Sequence, residues 1–113
     1  MKLWIDDLRP APDGYGWIKS VNEAKEIIDF CENPNKYPSY CGSTRKLEPI
    51  TIELIDIDHD AGDFANDGGD YIRLLDWFEK TGRNYPIRIH SMNPVGVENM
   101  RRIIQKNGWT EVF

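Results

Sequence analysis

The chain has 113 residues, 40% hydrophobic and 12% aromatic, enough for one globular domain that buries roughly two-thirds of its surface without a disulfide or structural metal. Its net charge of −5 argues against an extended basic nucleic-acid surface, while leaving room for a small nucleotide at a local metal. Cys31 and Cys41 have no CxxC or zinc spacing, Met1-Lys2 leads directly into a strand without an apolar leader, and no apolar run approaches membrane-spanning length; together these predict a cytoplasmic protein with reduced thiols and no membrane contact.

In chain order, KLWID at 2–6 reads as a short strand ending in Asp6 and Asp7. The prolines and glycine of Arg9-Pro10-Ala11-Pro12-Asp13-Gly14 make a loop, too short to carry a full helix. Trp17-Ile18-Lys19 is a second strand. Ser20 and Glu23 have capping-box spacing and open a helix with Val21, Ala24, Ile27, Ile28 and Cys31 on one face. Residues 33–49 are polar, with three prolines, and read as an irregular insert in the single domain 1–113. A helix-to-strand connection of this kind lies at the opposite end of a parallel sheet from its ligand site, which sets a lid aside and favours a tolerated surface insertion, with a partner-binding surface as the alternative.

The stretch Ile50–Asp63, ITIELIDIDHDAGD, is the centre of the reading. Apolar residues occupy both alternation phases, as in a strand covered on both faces. The strand then ends in Asp58, His59 and Asp60. An acidic loop with Gly68-Gly69 leads to an amphipathic helix over 70–80, with Tyr71, Leu74, Leu75 and Phe78 facing inward and Gly82 as its stop. Pro86–Ser91 is a strand ending in His90 and Ser91. Asn93 at N-cap and Pro94 at N1 start another helix, whose buried stripe is Val97, Met100, Ile103 and Ile104. Gly108 ends it, and Trp109–Phe113 reads as a fifth strand. The pattern β-loop-β-α-β-α-β-α-β predicts a doubly wound α/β sheet.

Three strand ends thus carry matching chemistry: Asp6-Asp7, Asp58-His59-Asp60 and His90-Ser91. Parallel strands lie about 4.8 Å apart, so neighbouring ends would gather several carboxylates and both histidines of the chain into one site. Carboxylates that close call for a cation, and oxygen donors suit Mg²⁺ or Mn²⁺. Each member has a plainer use. Asp6-Asp7 can cap a turn, Arg9 can pin its loop, Asn93 can serve only as a cap, and Asp63 and Asp67 can belong to a solvated loop. Asp56 shares the face of Asp58 and is read as supporting. The joint pattern is stronger than its parts, because the only two histidines each follow an apolar strand.

Asp6-Asp7, Asp58 and Ser91 resemble the layout of response-regulator receiver domains, in which three acids hold Mg²⁺, the strand-three Asp accepts a phosphoryl group and the strand-four hydroxyl binds it. The chain departs from that pattern: a loop replaces the first helix, no lysine follows strand five before Phe113, no last helix is expected, and His59 and His90 are additions. The strings WIDDLRPAP, LIDIDHDAGD with GGDYIRLLDWF, and IRIHSMNPVGVENM resemble the cyclic-phosphate-processing receiver-like family across almost the whole chain outside 33–49. The resemblance implies a compact receiver-like (flavodoxin-like) doubly wound five-stranded parallel sheet in the order 2-1-3-4-5, with a reduced first helix.

It also implies metal-dependent hydrolysis of a cyclic phosphate on a small nucleotide or RNA end. Such a phosphodiesterase must neutralise the non-bridging oxygens, activate water and protonate the leaving oxygen. Asp6, Asp7 and Asp58 are expected to hold Mg²⁺ (or Mn²⁺). His59 and His90 are expected to share the proton transfers, since imidazole serves as base or acid. Ser91, Asp60, Arg9 and Asn93 would bind phosphate or support the site. The alternatives are a signalling receiver phosphorylated on Asp58 and a non-enzymatic metal- or nucleotide-binding domain.

Overall fold

In the computed structural model, which describes residues 1–36 and 47–113, four parallel strands form the sheet: β1 Lys2–Ile5, β2 Tyr15–Ile18, β3 Leu54–Ile57 and β4 Ile87–Ile89. Their order is β2-β1-β3-β4. In register, Leu3 lies beside Ile55 and Ile55 beside Ile87, while Ile5 lies beside Ile57. These side chains share one face, because alternate strand residues point the same way. The helices α1 Val21–Glu32, α2 Ile72–Thr81 and α3 Pro94–Asn107 bring their buried stripes to the same cluster, which includes Ile28, Tyr71, Leu75, Phe78, Met100 and Ile104.

The other face differs from the expected double coverage. It carries Trp4, Asp56 and Arg88 in register, and no helix among the described residues supplies a second apolar layer. The connection between β1 and β2 explains why. A parallel pair ordinarily needs a crossover of a dozen or more residues, and here a loop makes the crossing. Two indoles brace that loop: Trp4 Nε1 donates to the Arg9 carbonyl and Trp17 Nε1 to the Asp6 carbonyl, each at 2.8 Å.

Local chemistry sets most helix ends. Ser20 Oγ accepts the Glu23 N–H at 3.1 Å, while the Glu23 carboxylate reaches back to the Lys19 N–H at 3.2 Å, one residue outside the usual capping box. Asn93 Oδ1 accepts from the Gly96 N–H at 3.0 Å. Gly82 and Gly108 close α2 and α3 in the left-handed conformation. Helix α2 starts two residues later than the predicted 70, because Asp70 is committed elsewhere: its Oδ1 accepts the Ala61 N–H at 3.0 Å and ties down the loop after β3.

The expected fifth strand at Trp109–Phe113 is reduced to a single parallel bridge between Ile87 and Glu111. The Ile87 N–H donates to the Thr110 carbonyl at 3.0 Å and the Val112 N–H to the Ile87 carbonyl at 2.7 Å. Two features keep the pairing short. Pro86 has no N–H to offer the ladder, and Arg101 of α3 grips the Glu111 carboxylate through Nε and a 2.6 Å contact from its terminal nitrogen. The five-strand order is therefore corrected to four strands plus this bridge on the outer side of β4.

Cys31 is buried and unpaired on α1. Cys41 and residues 37–46 of the expected insert lie outside the described residues. Asn35 pairs with the Leu47 backbone through both side-chain atoms, and the Ile50 N–H meets the Cys31 carbonyl, at the end of α1 remote from β3's carboxyl end. No helix among the described residues is long and apolar enough to cross a membrane.

Candidate functional site

The sheet ladder runs directly into the site. The Asp58 N–H donates to the Ile5 carbonyl and the His90 N–H to the Ile57 carbonyl, both at 2.9 Å. Asp6, Asp58 and His90 are therefore laid side by side at the carboxyl ends of β1, β3 and β4, where open α/β sheets place ligands. One oxygen each from Asp6, Asp7 and Asp58 lies within 4.8 Å of the others. Asp6 is 1% exposed and Asp58 7%. Three hard oxygen donors gathered at one point suit Mg²⁺ or Mn²⁺ in donor type.

The two carboxyls at the end of β1 are treated oppositely. Burial pushes Asp6 up, but the N–H groups of Arg9 and Leu8, His90 and the Arg9 guanidinium together hold it below the usual carboxylate range. Burial raises Asp7; its own backbone N–H opposes this, and the charges of Asp6 and Asp58 add to it. Asp7 is thus where the crowding of negative charge is felt. Gly62 makes room for it: with φ at 54°, a Cβ there would lie 2.2 Å from Asp7 Oδ2, so both the conformation and the space call for glycine.

The two histidines occupy different environments. His90 Nδ1 lies 2.6 Å from Asp56 Oδ1 and Nε2 lies 2.9 Å from Asp6 Oδ2. Trp4 stacks on the ring, with centroids 3.8 Å apart and planes 5° apart. Trp4 and His90 thereby help roof over Asp56, which is fully buried on the face that lacks a helix layer. Asp56 Oδ2 makes no hydrogen bond, and the nearest compensation is Arg88, 3.6 Å away. The sequence signal for Asp56, read above as supporting, is an acid inside an otherwise apolar strand, in phase with Trp4 two positions before Asp6.

His59 is anchored at one nitrogen only. Its Nδ1 lies 2.8 Å from Asp60 Oδ1, and Asn93 Nδ2 donates to both Asp60 oxygens at 3.3 and 3.4 Å. Asn93 Nδ2 also lies 3.5 Å from His59 Nδ1, while Nε2 has no hydrogen-bond partner among the described residues. The ring rests against the first turn of α3, where a Cβ on Gly96 would meet His59 Cγ at 2.4 Å. Gly96 thus joins the buried stripe of α3, while the predicted Val97 and Ile103 are only half-buried.

The remaining predicted residues gather around the same sheet end. Ser91 Oγ accepts the Asn93 N–H at 3.2 Å. Asp60 lies against His59 and is not one of the three clustered carboxylates. Arg9 bridges the acids, with Nε 3.0 Å from Asp6 Oδ2 and a terminal nitrogen 3.4 Å from Asp58 Oδ2. Asp67 is exposed in the loop after β3, as read, and it also accepts from the Ser20 hydroxyl at 2.6 Å and from Asn22 at 3.1 Å, fastening that loop to the start of α1.

A family model described as the cyclic-phosphate processing receiver domain matches residues 1–106. No curated protein and no solved structure matches the chain. The family match spans the four strands, α1, α2, all but the last residue of α3 and all the acids and histidines of the site, and the chain belongs to the cyclic-phosphate processing receiver domain family.

Proposed function

We propose that the protein hydrolyses a cyclic phosphate on a small nucleotide or an RNA end, with Asp6, Asp7 and Asp58 holding Mg²⁺ or Mn²⁺. The observation that carries this reading is the convergence of those three carboxylates within 4.8 Å, flanked by two histidines, in a family described by cyclic-phosphate processing. When bound, the ion supplies positive charge to the non-bridging phosphate oxygens. The chain supplies the rest. His59 moves a proton at Nε2, its ring held by Asp60 and by the close packing of Gly96. His90 holds a proton between Nε2 and Asp6 Oδ2 while Asp56 fixes the opposite side of its ring. Ser91 turns its hydroxyl hydrogen toward a phosphate oxygen, and the first amides of α3 beyond Asn93 add a weak anion-binding end.

The decisive experiment is a screen of 2′,3′-cyclic nucleotides and RNA ends with Mg²⁺ or Mn²⁺, read by phosphorus NMR. The expected product is a phosphomonoester, lost in EDTA. Turnover in the His59→Ala/His90→Ala double variant equal to that of the unaltered protein would overturn the proposal. Treatment with a small phosphodonor and Mg²⁺ separates this from a signalling receiver, which would gain one phosphoryl mass at Asp58.

A further inference from the structure

Asp6 is contacted on its two oxygens by four nitrogens. Its Oδ1 accepts the N–H groups of Leu8 at 3.0 Å and Arg9 at 2.9 Å. Its Oδ2 faces His90 Nε2 at 2.9 Å and Arg9 Nε at 3.0 Å. A carboxylate offers about four acceptor positions; hydrogen bonds use three, and the Arg9 guanidinium stands beside the fourth as an ion pair. The far end of the Arg9 guanidinium reaches Asp58 Oδ2 at 3.4 Å. Arg9 therefore spans two of the three carboxylates that would hold an ion. A Mg²⁺ or Mn²⁺ ion sits about 2.1 Å from its oxygens and would need the space beside Asp6 Oδ2 that the Arg9 guanidinium now fills.

Of the four nitrogens around the Asp6 carboxylate, three are fixed in place. Two are backbone N–H groups of the indole-braced loop, and the third belongs to the His90 ring held by Asp56 and Trp4. The Arg9 side chain is 46% exposed. Its backbone is held independently, by its N–H on Asp6 Oδ1 and its carbonyl on Trp4 Nε1. The guanidinium can leave without the loop moving, and it then remains within a side chain's reach of the site.

We infer that Arg9 is an exchangeable counter-ion: it neutralises Asp6 and Asp58 in the metal-free protein, yields Asp6 Oδ2 to the incoming ion, and turns its planar fork onto the phosphate of the ligand. The inference rests on the metal-site reading above. The exchange has a physical logic. Three carboxylates with one guanidinium leave a site that repels anions. Adding a divalent ion while keeping Arg9 nearby removes that repulsion and frees a bidentate phosphate donor.

Mn²⁺ binding to the full chain, measured by electron paramagnetic resonance and calorimetry, tests the exchange without any need for turnover. Arg9→Gln and Arg9→Ala are expected to bind Mn²⁺ roughly five- to tenfold more tightly than the unaltered protein, the size of a partly exposed ion pair removed from competition. Arg9→Lys, which keeps the charge without the fork, is expected to show a smaller gain. With Mn²⁺ saturating, inorganic phosphate is expected to bind the unaltered protein more tightly than Arg9→Gln. Unchanged or weaker Mn²⁺ binding in variants whose circular dichroism and melting in EDTA show an intact fold would overturn the exchange. Equal phosphate affinity would overturn the second step. Absence of Mn²⁺ binding in every protein would instead remove the metal-site reading, and this inference with it.

Discussion

His59 and His90 look alike in the sequence. Each follows a short apolar strand, yet the fold gives them opposite situations. His90 has a carboxylate at each ring nitrogen and an indole on its face, and it forms part of the roof over a buried acid. His59 has a carboxylate at one nitrogen, a second nitrogen without a hydrogen-bond partner among the described residues, and a glycine packed against its ring. The difference separates orientation from availability. A histidine held on both sides organises charge, and a histidine held on one side can exchange a proton with a ligand.

The strongest way to break this comparison is stability. His90→Ala leaves Asp56 buried without its hydrogen-bond partner, and it is expected to destabilise the protein by about 3 kcal/mol or more. His59→Ala is expected to change stability by less than about 1 kcal/mol. Urea melts in EDTA measure both, and equal losses would erase the distinction. Hydrolysis comes next: His59→Ala is expected to lower turnover by ~10²-fold with its melting curve intact, so a fully active His59→Ala would move the proton transfer elsewhere. Gly96→Ala is expected to cost about 1–3 kcal/mol through overpacking against His59. That cost should largely disappear in the Gly96→Ala/His59→Ala double variant, a coupling read by a double-mutant cycle.

The smallest effect concerns Asp7. Its carboxyl is raised in the folded protein, so the folded state binds its proton more tightly than the unfolded state. Its ionisation therefore subtracts stability as pH rises from the unfolded value through the folded one. Asp7→Asn is expected to raise the melting temperature in EDTA at neutral pH and, if the proposed metal site is used, to remove any rise on adding Mn²⁺. A lower melting temperature in EDTA would show that Asp7 is not under electrostatic strain. Asp6 has the opposite sign. Its carboxyl is depressed, so its contribution is present above the unfolded value and is lost as pH falls through the folded one.

Much of this was legible in the chain because local rules act locally. Ser20, Asn93-Pro94, Gly82 and Gly108 mark helix ends with groups that satisfy nearby backbone atoms, and the structure uses each of them. The acids and histidines at the strand ends were readable because parallel strands in register bring corresponding ends together. Asp70 and Glu111 show the limit. Each sits where a helix start or a strand was expected, and each is claimed by a partner distant in sequence or by another element, Ala61 in one case and Arg101 in the other.

The sequence by itself determined the α/β alternation, the parallel sheet and the identity of the acidic and imidazole groups at one end, because periodicity and capping depend on residues a few positions apart. Only the tertiary structure decided that one sheet face lacks a helix layer, that Trp4 and His90 help bury Asp56 there, and that Arg9 lies across Asp6 and Asp58. Those outcomes depend on which side chains meet across strands separated by up to 84 positions, and no local pattern records such a meeting.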